Sequence, residues 1–186
     1  INIALSSDAG QTWGSPIEPH DDQSTRQHGF LTLLPTERDE MIAVWLDARE
    51  YNSQSPGDSF GNAVQLRSTT IGKDGTLGKD IPLDLRACSC CQTSAAITED
   101  GTVLIAYRDR TADEIRDISI VRRHNEVWSG PVNVHADGWE ISGCPVNGPA
   151  IDAQATDAVV AWFTGADNIA TVKVAFSEDS GVTFGP

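Results

Sequence analysis

The chain has 186 residues, and 13 Lys and Arg against 27 Asp and Glu give it a formal net charge of −14. Such a surface repels polyanions, so we expect neither nucleic acid nor an anionic membrane as a partner. No apolar run approaches the roughly 18 residues of a membrane span. The sequence shows no signal peptide and no initiator Met, so we expect a processed chain or a piece of a longer one.

The first recognisable element is a turn that reads Ser-x-Asp-x-Gly-x-Thr-aromatic and follows the apolar run Ile3–Leu5. Its residues are Ser6, Asp8, Gly10, Thr12 and Trp13. Ser and Asp can hydrogen-bond the backbone of a tight turn, Gly supplies a positive φ, and the Thr-aromatic pair returns the chain to extended structure as an apolar anchor. The pattern recurs near the other end of the chain at Ser177, Asp179, Gly181, Thr183 and Phe184.

Between these two turns, similar strands recur. The segments 41–47, 103–109 and 158–164 are apolar with an aromatic residue near the end, and each follows a small-residue strand at 29–33, 93–97 or 148–151. No segment of ten or more residues has helical periodicity. The repetition predicts an all-β chain that forms one partial β-propeller of four-stranded blades. The predicted blades cover approximately 14–76, 77–128 and 129–184, after the end of a preceding blade at 1–13.

Both turns resemble the Asp-box, the hairpin signature of sialidase-like (BNR-repeat) β-propellers. Members of that family have six blades, so the resemblance implies that this chain supplies about three blades, or half of the ring. Three blades are too few to close a propeller. We therefore expect the remaining blades of a longer chain, or a second copy in a homodimer, to complete the ring.

The segment from Arg26 to Arg67 resembles the first part of a sialidase site. The resemblance implies that Arg26 and Arg49 bind the carboxylate of an acidic sugar, and that Asp58 is the acid/base group of glycoside hydrolysis. The match is partial, because the family's Arg-Ile-Pro motif is absent and neither Tyr51 nor Tyr107 stands at the nucleophile position. The alternative is that Arg49 pairs with Asp47 or Glu50 while Asp58 caps a turn.

Two further loops carry candidate ligand-binding residues. In the segment 107–117, seven of eleven residues are charged, and Arg108 and Arg116 could recognise an anion or form an ion-pair lattice between blades. In the Gly- and Pro-rich segment 135–149, Trp139 could stack on a sugar ring, with Asn147 supplying hydrogen bonds, or pack between blades.

The four cysteines are clustered at Cys88, Cys90, Cys91 and Cys144. When the repeats are aligned, Cys90 falls opposite Cys144, and Arg26 takes the equivalent place in the preceding blade, near one channel mouth. Three interpretations stay open: a disulfide between Cys144 and one of the other three, a thiolate metal site with His28 or His135 as additional ligands, or free buried thiols. The metal of such a site is unknown. The even cysteine count in an acidic β-rich chain is compatible with a periplasmic or extracellular bacterial protein.

Together these features predict a sialidase-like propeller that processes or recognises a glycan, with a carbohydrate ligand as the expected partner. We expect no cofactor. The sequence also contains no Gly-rich phosphate loop and no Gly-x-Ser-x-Gly nucleophile elbow. The alternatives are a non-catalytic glycan- or protein-binding propeller, or a propeller with a cysteine metal site at the channel mouth.

Overall fold

The computed structural model describes residues 1–51 and 63–185 and arranges them in three antiparallel sheets. The first sheet contains β1 (His28–Pro35), β2 (Glu40–Asp47), β3 (Val64–Gly72) and β4 (Ile81–Ala87), in that order. The second contains β5 (Ser94–Ile97), β6 (Val103–Arg108), β7 (Ile118–His124) and the short β8 (Val127–Trp128) and β9 (Val132–Asn133), which both pair with β7. The third contains β10 (Ala150–Gln154), β11 (Asp157–Thr164) and β12 (Thr171–Ser177).

The prediction of an all-β chain is confirmed. The described helical structure is a single 3-10 turn at Ala166–Asn168. Within residues 1–51 and 63–185, no helix is long and apolar enough to cross a membrane.

The sheets pack face to face, which explains why their second strands are nearly continuous apolar runs. In β2, Ile42 and Val44 face a core shared with Ile105 of β6, whereas Trp45 faces a second core beneath the first residues of the chain. In β6, Leu104 turns the other way, into the core shared with the third sheet. Burial of each such side chain contributes about 1.5–3 kcal/mol, so covering both faces stabilises the stack.

The first strands of the three sheets lie beside one another. The Thr32 and Thr93 hydroxyl groups are 2.7 Å apart, and Ser94 Oγ accepts the Ile151 amide at 3.2 Å. Small residues permit this approach: a Cβ added to Gly148 would lie 1.9 Å from the carbonyl oxygen of Gln92. The sequence preference for small side chains here therefore reflects close contact between sheets.

Antiparallel pairing gives the stack two distinct ends. The tight hairpins at 36–39, 98–102 and 155–156 define the hairpin end. The longer connections at 48–63, 88–93, 109–117, 134–149 and 165–170 define the loop end. Among the described residues, every ligand-binding or cysteine candidate that the sequence singled out belongs to the loop end or to the segment that enters β1 there.

The two turns with the shared sequence pattern have the same hydrogen bonds. Asp8 accepts bonds from the amide and the hydroxyl of Thr12 at 2.9 and 2.6 Å, and Asp179 accepts the equivalent pair from Thr183 at 2.9 and 2.7 Å. These bonds lower the pKa of each aspartate to about 2. The aromatic residues differ, since Phe184 packs against a core whereas Trp13 is 64% exposed.

Candidate functional site

Arg49, predicted to bind a sugar carboxylate, is already surrounded by carboxylates. Its Nη2 atom lies 2.8 Å from Asp47 and 2.6 Å from Asp80, and its Nη1 atom lies 3.1 Å from Asp21. Although burial opposes its charge, the bonds to Asp47 and Asp80 raise the pKa of Arg49. The structure thus shows the pairing with Asp47 that the sequence left as an alternative. An added carboxylate would have to displace an internal one.

Beside Arg49 lies a histidine–carboxylate group that the sequence did not single out as a cluster. The rings of His20 and His28 stack with centroids 3.9 Å apart, and Asp22 Oδ1 lies 3.0 Å from His20 Nδ1 and 3.1 Å from His28 Nε2. Burial raises the pKa of Asp22, but the Ser24 hydrogen bond and the charges of His28 and Arg49 outweigh it and lower this pKa to about 2. The ligand atoms of the three side chains lie within 4.8 Å of one another, as a metal site requires.

Arg26 differs from the other arginines. Among the arginines of residues 1–51 and 63–185, it is the one whose guanidinium makes no hydrogen bond or ion pair. It is exposed and lies two residues before β1, at the loop end. A guanidinium in this state keeps all of its donors for a ligand.

Arg108 and Trp139 hold the second and third sheets together. Arg108 is 1% exposed and donates to the carbonyl groups of Asn147, Arg116 and Phe163 at 2.8, 2.6 and 2.8 Å. Its guanidinium lies 5.0 Å from the ring of Trp139, which is itself 9% exposed. Neither side chain offers a surface to a sugar. The structure shows the packing alternative for Trp139, whereas the guanidinium of Arg108 bonds to carbonyl groups.

Arg116 is also held inside the protein. One nitrogen donates to Cys88 Sγ at 3.3 Å and another pairs with Glu114 at 2.8 Å, while Glu114 also pairs with Arg110 at 2.6 Å. The Nε atom of Arg116 is buried and makes no hydrogen bond in the described part of the chain. Glu114 therefore pairs with two arginines of its own loop, so these ion pairs lie within the segment 107–117 rather than between sheets.

A carboxylate pair lies between the first two sheets. Tyr107 donates to Asp84 at 2.5 Å, and Ser119 donates to Asp109 at 2.9 Å. Burial, aided by the charge of Asp84, raises the pKa of Asp109 to about 6. Such a carboxyl is half protonated at about pH 6. The sequence included Asp109 only as one charge among seven, and Asp84 carried no signal of its own.

The cysteines form a compact group. Cys90 and Cys144 form a disulfide, which confirms the interpretation that Cys144 pairs with one of the other three. Cys88 and Cys91 are buried thiols. The bond from the Cys91 thiol, together with Arg116, lowers the pKa of Cys88 to about 5 against the effect of burial. Asp58 lies outside the described residues, so its predicted role stays a prediction.

No protein-family model and no curated protein sequence matches this chain. Solved structures with a similar fold include a Dyadobacter fermentans DSM 18053 protein described as of unknown function, with 14% identity and a TM-score of 0.55 over 86% of this chain and 54% of that one. They also include the Hadza microbial sialidase Hz136, with 14% identity and a TM-score of 0.52 over 88% and 37%. A third is Zg3597 of Zobellia galactanivorans, a family 117 glycoside hydrolase, with 7% identity and a TM-score of 0.57 over 99% and 59%. At these identities the likeness concerns the fold, and this chain spans between about a third and three fifths of the neighbours' lengths.

Proposed function

We propose that the chain is part of a sialidase-like β-propeller that recognises, and in its complete form processes, an acidic glycan at the loop end. The observation that carries this proposal is Arg26, an exposed and unpaired guanidinium in the position where the sequence resemblance expects a carboxylate-binding arginine. Two of the structural neighbours, a sialidase and a family 117 glycoside hydrolase, support a glycan-related role. In this proposal Arg49 organises the loop end through its carboxylate partners rather than binding the ligand.

The proposal that each sheet is a propeller blade rests on the outer faces of the first and third sheets. Residues 1–17 supply a core beneath the first sheet. By contrast, the third sheet leaves an apolar face open: Val172, Val174 and Phe176 of β12 are 70%, 44% and 56% exposed. These residues pair across to Phe163, Ala161 and Val159 of β11, so the open face spans two strands. A further blade, from a longer chain or a second copy, would cover it. The blade boundaries given by the sequence stay part of this proposal.

For hydrolysis, we retain Asp58 as the proposed acid/base group, on the strength of the sequence resemblance. The alternative is a glycan- or protein-binding propeller without catalysis. The internal pairing of Arg49, Arg108 and Arg116 favours this alternative for the chain taken alone. We also propose export to an oxidising compartment, which the Cys90–Cys144 disulfide supports.

The test is binding of acidic and matched neutral glycans, followed by titration of any hit by calorimetry. Loss of a charge-assisted hydrogen-bonded pair of about 1.5–3 kcal/mol predicts that Arg26→Ala weakens binding about 10- to 100-fold. Arg38→Ala is the matched control, because Arg38 is exposed at the hairpin end and pairs with Glu126. Absence of acidic-glycan binding, or equal affinities for wild type and Arg26→Ala, would refute the proposal.

Hydrolysis is measured separately with a fluorogenic sialoside. Turnover by the wild type that is lost in Asp58→Asn would support the enzymatic form of the proposal. Glycan binding without turnover would support the binding module instead.

A further inference from the structure

Three cysteine sulfur atoms and a fourth from a distant loop meet at the loop end. Cys88, Cys90 and Cys91 follow β4 directly, and Cys144 comes from the segment 134–149. The Cα atoms of Cys90 and Cys144 are 6.2 Å apart, so the second segment reaches the first without rearrangement. A structural disulfide needs two cysteines, and this arrangement leaves two buried thiols beside it.

The spacing of the sulfur atoms matches that of a tetrahedral thiolate site. The Sγ atoms of Cys88, Cys90 and Cys91 form a triangle with edges of 3.5, 3.6 and 4.0 Å. Zinc–sulfur bonds of about 2.3 Å in tetrahedral geometry place the sulfur atoms about 3.8 Å apart. The three atoms therefore match one face of such a tetrahedron. Cys144, which is bonded to Cys90 in this structure, would supply the fourth sulfur once the disulfide is reduced. Cys88 and Cys91 also have the C-x-x-C spacing common to zinc sites.

The surroundings supply the charge that such a site needs. Four thiolates around a divalent cation have a net charge of −2, which is costly to bury unless it is compensated. Two buried guanidinium groups adjoin the sulfur atoms, Arg116 at 3.3 Å from Cys88 Sγ and Arg108 beside Cys91. The backbone amides of Cys90 and Asn147 also favour the thiolate forms of Cys88 and Cys91, respectively, because each lowers the pKa of that thiol. Donors of this kind orient and stabilise metal-bound thiolates.

We propose that reduction of the Cys90–Cys144 disulfide opens a four-thiolate site for a thiophilic d10 cation such as Zn²⁺, formed by Cys88, Cys90, Cys91 and Cys144. A dithiol reductant supplies two electrons and two protons and becomes a disulfide, and Cys90 and Cys144 become thiols. The cation then replaces the protons of the four Sγ atoms. Cys90 and Cys144 cannot form a disulfide and bind the metal as thiolates at the same time. The disulfide-bonded and metal-bound forms therefore exclude each other.

The test uses Co²⁺ as a spectroscopic substitute for Zn²⁺. The protein is reduced with dithiothreitol, freed of reductant under anaerobic conditions and titrated with Co²⁺. We expect one Co²⁺ per chain, with thiolate-to-cobalt charge-transfer bands and the strong d–d bands of tetrahedral coordination, and then displacement by one equivalent of Zn²⁺. The unreduced protein should bind neither ion at this site.

Variants separate the proposed ligand set from others. Cys144→Ser removes an exposed sulfur outside the core and should weaken Co²⁺ binding at least tenfold and alter its spectrum. Ser89→Ala, in the turn that contains the other three cysteines, should match the wild type. Circular dichroism verifies that both variants are folded. Absence of Co²⁺ binding by the reduced protein, spectra without charge-transfer bands, or unchanged binding by Cys144→Ser would each overturn the proposal. A loss of binding in His135→Ala equal to that in Cys144→Ser would instead assign a mixed ligand set and would also overturn it.

Discussion

Replacement of Arg108 by Met should destabilise the protein severely while preserving side-chain volume. Arg108 is almost completely buried and donates to three carbonyl groups, from the segments 109–117, 134–149 and 157–164. Each charge-assisted hydrogen bond contributes about 1.5–3 kcal/mol, and the three are not independent, so we expect a loss of about 3–5 kcal/mol. The orphaned carbonyl groups account for most of this cost, because they stay buried without a donor.

Urea unfolding in a fixed redox state measures the effect. The midpoint should fall while the slope of the free energy against urea concentration stays constant. Arg123→Met is the control, because Arg123 pairs with Glu40 at 3.2 Å on a partly exposed surface and such a pair contributes about 0–1 kcal/mol. A loss for Arg108→Met within 1 kcal/mol of this control would refute the structural role of Arg108.

Three further predictions concern packing, pH and the disulfide. Gly181→Ala should cost about 1–3 kcal/mol more than Gly101→Ala in urea unfolding, because both glycines have positive φ but only the Cβ at 181 would meet Leu104, at 2.7 Å. Since the folded-state pKa of Asp109 is about 6, above the value of about 4 for an unfolded chain, its contribution to the free energy of unfolding should fall as pH rises from about 4 to about 6. In Asp109→Asn this decrease in the free energy of unfolding should be absent. Equal slopes of the free energy against pH in the wild type and in Asp109→Asn would contradict the assignment. Without metal, Cys144→Ser should lower the free energy of unfolding by about 2–4 kcal/mol, because the disulfide closes a loop of 54 residues, and an unchanged midpoint would exclude this contribution.

The strands could be predicted because burial on both faces leaves a strong signal in the sequence. Segments such as 41–47 and 103–109 are apolar throughout, since each lies between two packed layers. The turns at Asp8 and Asp179 could also be predicted, because their hydrogen bonds are local and join residues four positions apart. A pattern confined to one short segment needs no knowledge of the rest of the fold.

The roles of the arginines could not be predicted in this way. Arg49 and Arg108 follow or end apolar strands and look alike in sequence. The sequence named Asp47 as a possible partner of Arg49, but other partners are distant: Asp80 lies 31 residues from Arg49, and Phe163 lies 55 residues from Arg108. Those distant partners occupy the donors that a ligand would need. The sequence resemblance marks Arg26 and Arg49 alike, and the structure is needed to show that the guanidinium of Arg26 is exposed and unpaired.

The pKa values of Asp47 and Asp109 could not be predicted from the sequence pattern either. They occupy equivalent positions, one at the end of β2 and the other directly after β6, and both are shielded from solvent. Burial raises the pKa of each, but Arg49 outweighs it at Asp47 and lowers that pKa, whereas the charge of Asp84 adds to it at Asp109 and raises that pKa to about 6. Repetition of a strand pattern therefore repeats the position of a carboxyl group without repeating its chemistry. The nearest charged side chain, Arg49 at Asp47 and Asp84 at Asp109, decides which carboxyl is a fixed anion and which can carry a proton near pH 6.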